Sequence, residues 1–378
     1  MASSNTLPPK RRAALIRASA LAPLFSHLSR YKVDLAGFLS RHGLNQGTVT
    51  NPYSMLPLAQ YVRLFERAAA ELNEPNLGIL LGQKIRPADI GPMGVLFSLS
   101  PTVRVGFERL SSYVKALQGG TQSTLFEVGE DLVWSYRIAD AELWPRRQDA
   151  EYTLVANCQL VRSCFASDWR PVEVHFEHAE DGDTALLQRI FRAPVLYRQS
   201  GNRFVMRRED ASQVHRTEDR GLITILEHHI ADLIGQDNDE DSITDQVRAL
   251  IGLYIGQKAI TLETLARDLR MSPRSLQRRL GEENTSLREL LTQHRREMAR
   301  VYLTQKGARV SEVASALGYS DETVFWRAFR GWTGMEPSAF RRLALATGSM
   351  PDDVAAEADT ETGSQAGVRG DDPSHPPD

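Results

Sequence analysis

Two short segments in the last third of the sequence carry side chains that can hydrogen-bond to the edges of DNA bases. Arginine can donate two hydrogen bonds to guanine in the major groove, and glutamine can pair in a similar way with adenine. The candidate side chains are Arg274, Gln277 and Arg278 in the first segment, and Thr323, Trp326, Arg327 and Arg330 in the second. Their chemistry predicts base-specific contact with DNA if both segments hold these residues facing outward.

Each segment also contains two apolar residues spaced four apart. They are Leu276 and Leu280 in the first segment, and Phe325 and Phe329 in the second. Residues four apart lie on one face of an α-helix, so each pair can anchor its helix to a core. The polar and cationic residues between them then project away from that core.

The two segments belong to an internal repeat. The first copy reads "TLETLARDLRMSPRSLQRRL" from Thr261, and the second reads "RVSEVASALGYSDETVFWRAF" from Arg309. Ala266 matches Ala314 at an offset of 48 residues, whereas Leu276 matches Phe325 at an offset of 49 residues, so the turn has gained one residue. A short helix, a tight turn and a second helix form a helix-turn-helix unit, and the sequence predicts two of them.

Turn and capping residues support this division. Ser272 and Pro273 supply an N-cap followed by a proline at the first helical position. Gly318 falls where the first helix of the second copy must end, and glycine tolerates the left-handed backbone needed there. We expect Ser320 to cap the last reading helix, with Asp321 and Glu322 in its first turn.

A long helix over residues 286–304 is predicted between the two copies. Ser286 and Glu289 form a capping box at its start. At about 1.5 Å per residue this helix would be about 28 Å long. Because one turn of DNA is about 34 Å, a helix of this length could hold two reading helices in successive major grooves.

Charge is distributed unevenly along the chain. The formal net charge is −3 overall, but residues 241–342 hold 17 Lys and Arg against 12 Asp and Glu. Residues 349–378 hold eight acidic residues and a single arginine, and their composition predicts a disordered tail. A helical domain with a merely solvated arginine face is the alternative, but it would not explain the duplicated turn and capping pattern.

The preceding part of the chain has both helical and strand patterns. Helical spacing occurs at 58–72, at 100–117 with a start at Ser100-Pro101, and at 148–165. The segment "TQSTLFEVGEDLVWSYRI" predicts a hairpin, and "PVEVHFEH" and "NRFVMRR" predict further strands. The fold class is therefore an α+β N-terminal domain followed by an all-α domain with two helix-turn-helix units joined by a long helix.

We predict five regions from these patterns. They are a polar arm at 1–18, an α+β domain at 19–216, a connecting helix and acidic linker at 217–241, the helical domain at 242–346 and an acidic tail at 347–378.

The helical domain resembles the AraC/XylS family of bacterial transcription regulators. The likeness covers 247–342 and rests on "MSPRSLQRRL", on "VASALGYSDETVFWRAFRGWTGMEPSAFR" and on the joining helix. By position, the family's usual DNA contacts fall on Arg274, Gln277, Arg278, Glu322, Thr323, Trp326 and Arg327. Glu322 would repel phosphate, so it either reads cytosine or makes no contact. Trp326 is bulky for base reading and could pack against sugar or a thymine methyl group.

The N-terminal domain resembles the effector-binding and dimerisation domain of a family branch that includes regulators of amino-acid catabolism. "IGPMGVLFSLSPTVRVGFERLSSY" and "VEVHFEHAEDGDTALLQRIFRAPVLYRQSGNRFVM" carry this likeness. It implies a small-molecule effector of unknown identity, with unknown binding residues, and a homodimer. Double-stranded promoter DNA is the expected macromolecular partner, and RNA polymerase is a further candidate.

Cysteine and histidine usage sets other classes aside. The sequence has two cysteines, Cys158 and Cys164, which fits a reducing compartment, and their spacing is not that of metal ligands. The sequence contains no run of about 20 apolar residues, so no membrane span is predicted. His175 and His178 are expected on opposite faces of a strand. We therefore expect a cytoplasmic protein with no catalytic residues, no metal and no cofactor. The alternative is a DNA-repair methyl-acceptor enzyme fused to the same DNA-binding domain, which would need a reactive cysteine.

Four aromatic residues are candidates for lining an effector pocket, although aromatic residues more often belong to a core. They are Trp134, Tyr136, Trp144 and Tyr197.

Overall fold

A five-stranded mixed sheet lies between the helices of the N-terminal domain and the C-terminal helical domain. The computed structural model describes residues 14–31, 34–45, 47, 51–181, 184–235, 242–305 and 307–347. Most of the predicted polar arm, the acidic part of the predicted linker at 236–241 and the predicted tail from residue 348 lie outside these residues.

The N-terminal domain contains ten helices and seven strands among its described residues. The helices are α1 (Ala22–Leu28), α2 (Leu35–Arg41), α3 (Leu58–Glu71), α4 (Leu77–Gly82), α5 (Pro92–Leu99), α6 (Val103–Tyr113), α7 (Arg147–Cys164), α8 (Thr184–Phe191), α9 (Arg208–Ser212) and α10 (Arg220–Gly235). The strands are β1 (Leu15–Arg17), β2 (Met55–Pro57), β3 (Thr121–Val128), β4 (Asp131–Ile138), β5 (Glu173–His175), β6 (Val195–Leu196) and β7 (Asn202–Arg207). Short 3₁₀ turns connect several of these elements.

The main sheet has the strand order β3-β4-β7-β5-β6, and β1 pairs with β2 in a separate two-stranded sheet. Strands β3 and β4 form the predicted hairpin, with Val128 paired to Asp131 across a two-residue turn. Gly129 occupies that turn with φ of 61°, a left-handed conformation that glycine adopts without strain. All pairings in the main sheet are antiparallel except that of β5 with β6.

Strands β4 and β7 are buried on both faces. Trp134 and Tyr136 point into the N-terminal core, where Trp134 stacks near Phe107 and Phe204. The alternate residues Val133 and Val205 point the other way and join a cluster with helices of the C-terminal domain. Period-two alternation therefore separates two apolar environments here, rather than a core from solvent.

The C-terminal domain is helical throughout its described residues. Its helices are α11 (Ile243–Tyr254), α12 (Leu262–Asp268), α13 (Pro273–Glu282), α14 (Leu287–Thr304), α15 (Val310–Ala316), α16 (Glu322–Thr333) and α17 (Pro337–Thr347). The α+β and all-α fold classes predicted for the two halves are confirmed. The predicted domain limits agree broadly with this division but stay predictions.

Two local expectations need correction. Residues 15–17, assigned to the polar arm, form β1, and Ile16 is 1% exposed, so the N-terminal domain begins earlier than residue 19. The helix expected to start at Ser100-Pro101 begins at Val103, because the Thr102 side chain accepts a hydrogen bond from the backbone N–H of Val105 at 3.1 Å. Ser100 instead donates its hydroxyl to the carbonyl of Leu96 at the end of α5.

Candidate nucleic-acid interface

The first helix-turn-helix unit consists of α12 and α13. Helix α13 begins as predicted, because Ser272 accepts a hydrogen bond from the Ser275 N–H at 3.1 Å and Pro273 is its first residue. Leu276 and Leu280 are buried against the core. Arg274, Gln277 and Arg278 are all exposed, as their spacing predicts.

The second unit consists of α15 and α16. Phe325 and Phe329 are fully buried, and the Phe329 ring lies 5.3 Å from that of Phe340 in α17. Glu322, Thr323 and Arg327 are exposed on the other side of α16. The aromatic residues therefore anchor the helix, and the polar residues are available to a ligand.

The cap of α16 differs from the prediction. Asp321, rather than Ser320, is the N-cap, and its carboxylate accepts a hydrogen bond from the Val324 N–H at 2.9 Å. Glu322 then becomes the first helical residue, where a carboxylate is favoured by the positive end of the helix dipole. This interaction gives Glu322 a structural role that does not require DNA.

Trp326 is the one half-buried member of the predicted reading set. The Arg330 guanidinium lies over its ring, with 5.6 Å between the guanidinium carbon and the ring centroid. A cation over an indole face is stabilising, so Arg330 restrains the orientation of the Trp326 ring. This pair presents a flat, cationic surface beside Arg327.

The two units close their turns differently. Gly318 adopts φ of 71° after α15, as predicted. The matching residue of the first unit is Arg270, which adopts φ of 54°. The left-handed conformation is therefore required in both turns, although only one of them has glycine, the residue that adopts it at little cost.

Helix α14 joins the units. It has 18 residues and so is about 27 Å long at about 1.5 Å per residue. Ser286 caps it, accepting from the Glu289 N–H at 3.3 Å. Near its middle, Arg295 donates to the carbonyl of Leu317 at 3.0 Å, and its guanidinium lies 4.4 Å from the centroid of the Tyr319 ring. Sequence spacing did not reveal this contact, which fixes the turn of the second unit to the joining helix.

Arg278 pairs with Glu282 one helical turn later, at 2.5 Å. Both side chains are largely exposed, so the pair contributes only about 0.3–0.5 kcal/mol to helix stability. Arg278 is therefore able to exchange this carboxylate for a base or phosphate.

The residues considered for other chemistry are enclosed in the N-terminal domain. Burial raises the pKa of Cys158 to about 11, and burial also raises the pKa of Cys164, which is partly exposed. His175 and His178 are both buried, although only His175 belongs to β5. Within the described residues no group of three or more His, Cys, Asp or Glu side chains is arranged to hold a metal ion.

The four aromatic pocket candidates divide between core and domain boundary. Trp134 and Tyr136 are core residues, and Tyr136 donates its hydroxyl to Asp149 at 2.9 Å. Trp144 is partly buried against the second helix-turn-helix unit. Tyr197 packs against the N-terminal core, with its ring stacked 6.1 Å from that of Phe176.

Two family models match the chain in the order that this architecture requires. Residues 33–214 match the arabinose-binding N-terminal domain of AraC transcription regulators, and residues 265–343 match a helix-turn-helix domain. Together the matches cover more than half of the chain. The chain belongs to the AraC family of transcription regulators. It combines the effector-binding type of N-terminal domain with a helix-turn-helix DNA-binding domain.

Several transcription regulators are similar to this chain along nearly its whole length. The chain is 25% identical to the HTH-type transcriptional regulator VirS of Mycobacterium tuberculosis, with 89% of this chain and 98% of that protein covered. It is 24% identical to the ornithine utilization regulator of Pseudomonas aeruginosa, with 87% and 97% covered. The transcriptional regulator CdpR from P. aeruginosa, known from a crystal structure, is 20% identical to this chain. The alignment covers 86% of this chain and 98% of the CdpR chain, with a TM-score of 0.42. None of the helices in the described residues has the length and apolar character needed to cross a bilayer.

Proposed function

We propose that this AraC-family regulator recognises promoter DNA by placing α13 and α16 in successive major grooves on one side of the duplex. The observation that carries the proposal is shared by both helices: apolar residues bury one face of the helix in a core, and polar residues on the opposite face are exposed. The exposed faces belong to equivalent positions of a repeated unit. The joining helix α14 has 18 residues and is about 27 Å long, slightly shorter than the about 34 Å of one DNA turn.

The reading residues divide by chemistry. Arg274, Arg278 and Arg327 can each donate two hydrogen bonds to guanine, and Gln277 can pair with adenine. Thr323 can bond a base edge or a phosphate, and Trp326 can cover a sugar or a thymine methyl group. Glu322 would accept from cytosine or serve only the helix terminus.

We further propose that the N-terminal domain binds a small-molecule effector and forms a homodimer in the cytoplasm. The match to the N-terminal domain of AraC regulators supports the first part. The name of the P. aeruginosa relative points to amino-acid metabolism for that protein, and amino acids and their breakdown products are reasonable first effectors to test. RNA polymerase would be the further partner if the protein activates transcription.

The methyl-acceptor alternative is disfavoured by the state of the two thiols. A methyl acceptor needs a readily formed thiolate, whereas burial raises the pKa of both Cys158 and Cys164. Mass spectrometry after incubation with alkylated DNA would detect methyl transfer to either residue.

Selection from a random duplex pool tests the proposed function directly. The intact protein should enrich duplexes with two conserved half-sites whose centres lie about 10–11 base pairs apart. Failure to enrich any sequence, or enrichment of a single uninterrupted motif of a few base pairs, would contradict reading by two helices.

A further inference from the structure

The outer face of the main sheet, meaning the side that carries Phe126, Val133, Arg137, Arg203 and Val205, packs on the C-terminal domain. Phe126, Val133 and Val205 share one buried cluster with α11 and the first helix-turn-helix unit. The Phe126 ring meets the Tyr254 ring edge-on at 5.0 Å between centroids. The contact is therefore part of a hydrophobic core, rather than a loose surface encounter.

Arg203 and Ser200 bind the end of α11. The Arg203 guanidinium donates to the carbonyls of Leu253 at 3.2 Å and Ile255 at 3.1 Å. The Ser200 hydroxyl donates to the same Ile255 carbonyl at 2.6 Å and accepts from Arg203 at 2.8 Å. Carbonyls at a helix C-terminus lack partners within the helix, so these side chains satisfy them from another domain.

Arg137 reaches the joining helix α14. One of its guanidinium nitrogens lies 2.9 Å from Nε2 of His294, and another donates to the sulfur of Met298 at 2.9 Å. Gly252 leaves the space for this side chain, because a Cβ there would lie 2.4 Å from the Arg137 guanidinium. Tyr302, further along α14, donates its hydroxyl to the carbonyl of Ser200 at 3.3 Å.

The same domain also touches the second unit. Gln305, just after α14, donates to the carbonyl of Glu177 at 3.4 Å. Arg198 pairs with Glu312 of α15 at 3.5 Å. Trp144 packs against the hydrophobic cluster of this unit. The N-terminal domain therefore contacts α11, the joining helix α14 and α15 of the second unit.

These contacts leave the reading residues accessible, since six of the seven are exposed and Trp326 is half-buried. We propose that the N-terminal domain is a rigid scaffold that sets the angle between the two reading helices, with Arg137 and Arg203 as positioning residues for DNA recognition. The inference rests on the proposed function, because it assumes that both helices bind one duplex.

The chemistry of arginine suits this positioning role. The guanidinium is planar and presents its donors in a fixed fork, so its hydrogen bonds are lost when a partner helix rotates. Arg137 is 3% exposed and Arg203 is 0% exposed, so neither guanidinium can exchange its acceptors for bulk water. A change in the position of α11 or α14 would leave a buried guanidinium without its acceptors, and this cost keeps the helices in one arrangement.

Two full-length variants test the proposal. Arg203→Met removes the donors to α11 and keeps an apolar side chain of similar length. Ser200→Ala combined with Tyr302→Phe is a milder change, which removes the hydroxyl contacts without placing or removing a buried charge. Ser163→Ala is the matched control, because its hydroxyl donates to the carbonyl of Leu160 and contacts the sulfur of Cys164, both within its own helix. Thermal unfolding would confirm that each variant is folded.

The probes are a duplex enriched by the intact protein, the same duplex with either half-site scrambled, and versions with one base pair inserted or deleted between the half-sites. Pre-organisation affects only simultaneous binding by both units, so we expect about a tenfold loss on the intact duplex and less than about twofold on the scrambled duplexes. The variants should also discriminate less between the natural and altered spacings, and the Ser163→Ala control should behave as the parent protein.

Two results would overturn the scaffold. One is unchanged affinity and spacing preference in both variants, and the other is an equal loss on intact and scrambled duplexes, which would mean general damage to the DNA-binding domain. If the parent protein enriches no duplex at all, the proposed function itself is wrong.

Discussion

Arg146 of the N-terminal domain is buried, whereas Arg278 of the C-terminal domain is exposed and is a proposed DNA contact. Arg146 is 1% exposed and forms a two-pronged ion pair with Glu177, with both N–O distances at 2.8 Å. Arg278 is on the surface of α13 and pairs with Glu282. Residue type alone does not distinguish these roles. Coverage of the side chain by neighbouring elements does.

The largest expected effect comes from breaking the buried pair. Burial opposes ionisation of Glu177, but the Arg146 guanidinium outweighs it and lowers the pKa of that carboxyl. Arg146→Ala would leave the buried carboxylate without its counter-ion, and we expect the free energy of unfolding to fall by about 3–5 kcal/mol. Urea unfolding at neutral pH measures this loss.

Two comparisons sharpen that measurement. Arg170→Ala, at an exposed position, should change stability by less than about 0.5 kcal/mol. Adding Glu177→Gln to Arg146→Ala should restore part of the loss because it removes the unpaired charge. Equal effects of Arg146→Ala and Arg170→Ala would show that burial does not separate the two kinds of arginine.

The exposed arginines should show the opposite behaviour. Arg278→Ala and Arg327→Ala should each weaken binding to a selected duplex by about 1–3 kcal/mol and relax the preference for one base pair. Their unfolding free energies should stay close to that of the parent, because each side chain is exposed. Fluorescence anisotropy with single-base substitutions measures the binding effect, and Arg63→Ala, exposed in α3, is the charge-matched control.

The positions of the two losses are informative. The base pairs affected by Arg278→Ala and by Arg327→Ala should lie about one helical turn apart. Full affinity in both variants, or losses that map to the same base pair, would contradict the assignment of the reading faces.

Buried and exposed carboxyl groups should also differ, in how stability changes with pH. Burial raises the pKa of Asp149 to about 7, although the Tyr136 hydroxyl donates to it. A carboxyl whose pKa is higher in the folded state binds more protons there, so stability decreases as the pH rises from the unfolded pKa through about 7. Asp149→Asn removes this titration.

We therefore expect the free energy of unfolding of Asp149→Asn, minus that of the parent, to increase by on the order of 1–2 kcal/mol as the pH rises from 5 to 8. Urea unfolding at several pH values gives this difference, and Asp168→Asn, at an exposed site, should show a nearly constant difference. A constant difference for Asp149→Asn as well would mean that Asp149 titrates near its usual pKa.

The smallest expected effect compares the two turns of the DNA-binding domain. Arg270 in the first unit adopts a left-handed backbone conformation, and glycine, Gly318, occupies the matching position of the second unit. Arg270→Gly should therefore raise the free energy of unfolding by about 0.5–1 kcal/mol. Arg267→Gly, inside α12, should lower it by a similar amount, and thermal unfolding can compare the two. A loss of stability in Arg270→Gly would mean that its side chain makes a contribution larger than the backbone strain.

Local patterns were sufficient to predict the elements that carry the site. The β3–β4 hairpin, α7, the Ser272 cap and Gly318 all depend on residues within one turn or one strand pair of each other. The two faces of α13 and α16 likewise depend only on helical spacing. The reading residues themselves stay predictions, since their exposure is consistent with DNA contact without demonstrating it.

Features that depend on neighbouring choices or distant partners were harder to predict. Ser320 and Asp321 are both good N-caps by residue type, and in the structure the Asp321 carboxylate accepts the hydrogen bond from the Val324 N–H. Arg137 and Arg203 lie at alternate strand positions that normally face solvent, so nothing local distinguishes them from surface residues. Only the docked position of α11 and α14 shows that both are buried.

Burial of β4 and β7 on both sides also affects where the chain can be divided for expression. A fragment that ends after α10 would expose Phe126, Val133 and Val205 as one apolar surface, with the Arg203 guanidinium no longer bonded to α11. Large apolar surfaces of this kind promote association and precipitation. Isolated N-terminal fragments should therefore be poorly soluble unless polar residues replace these three side chains.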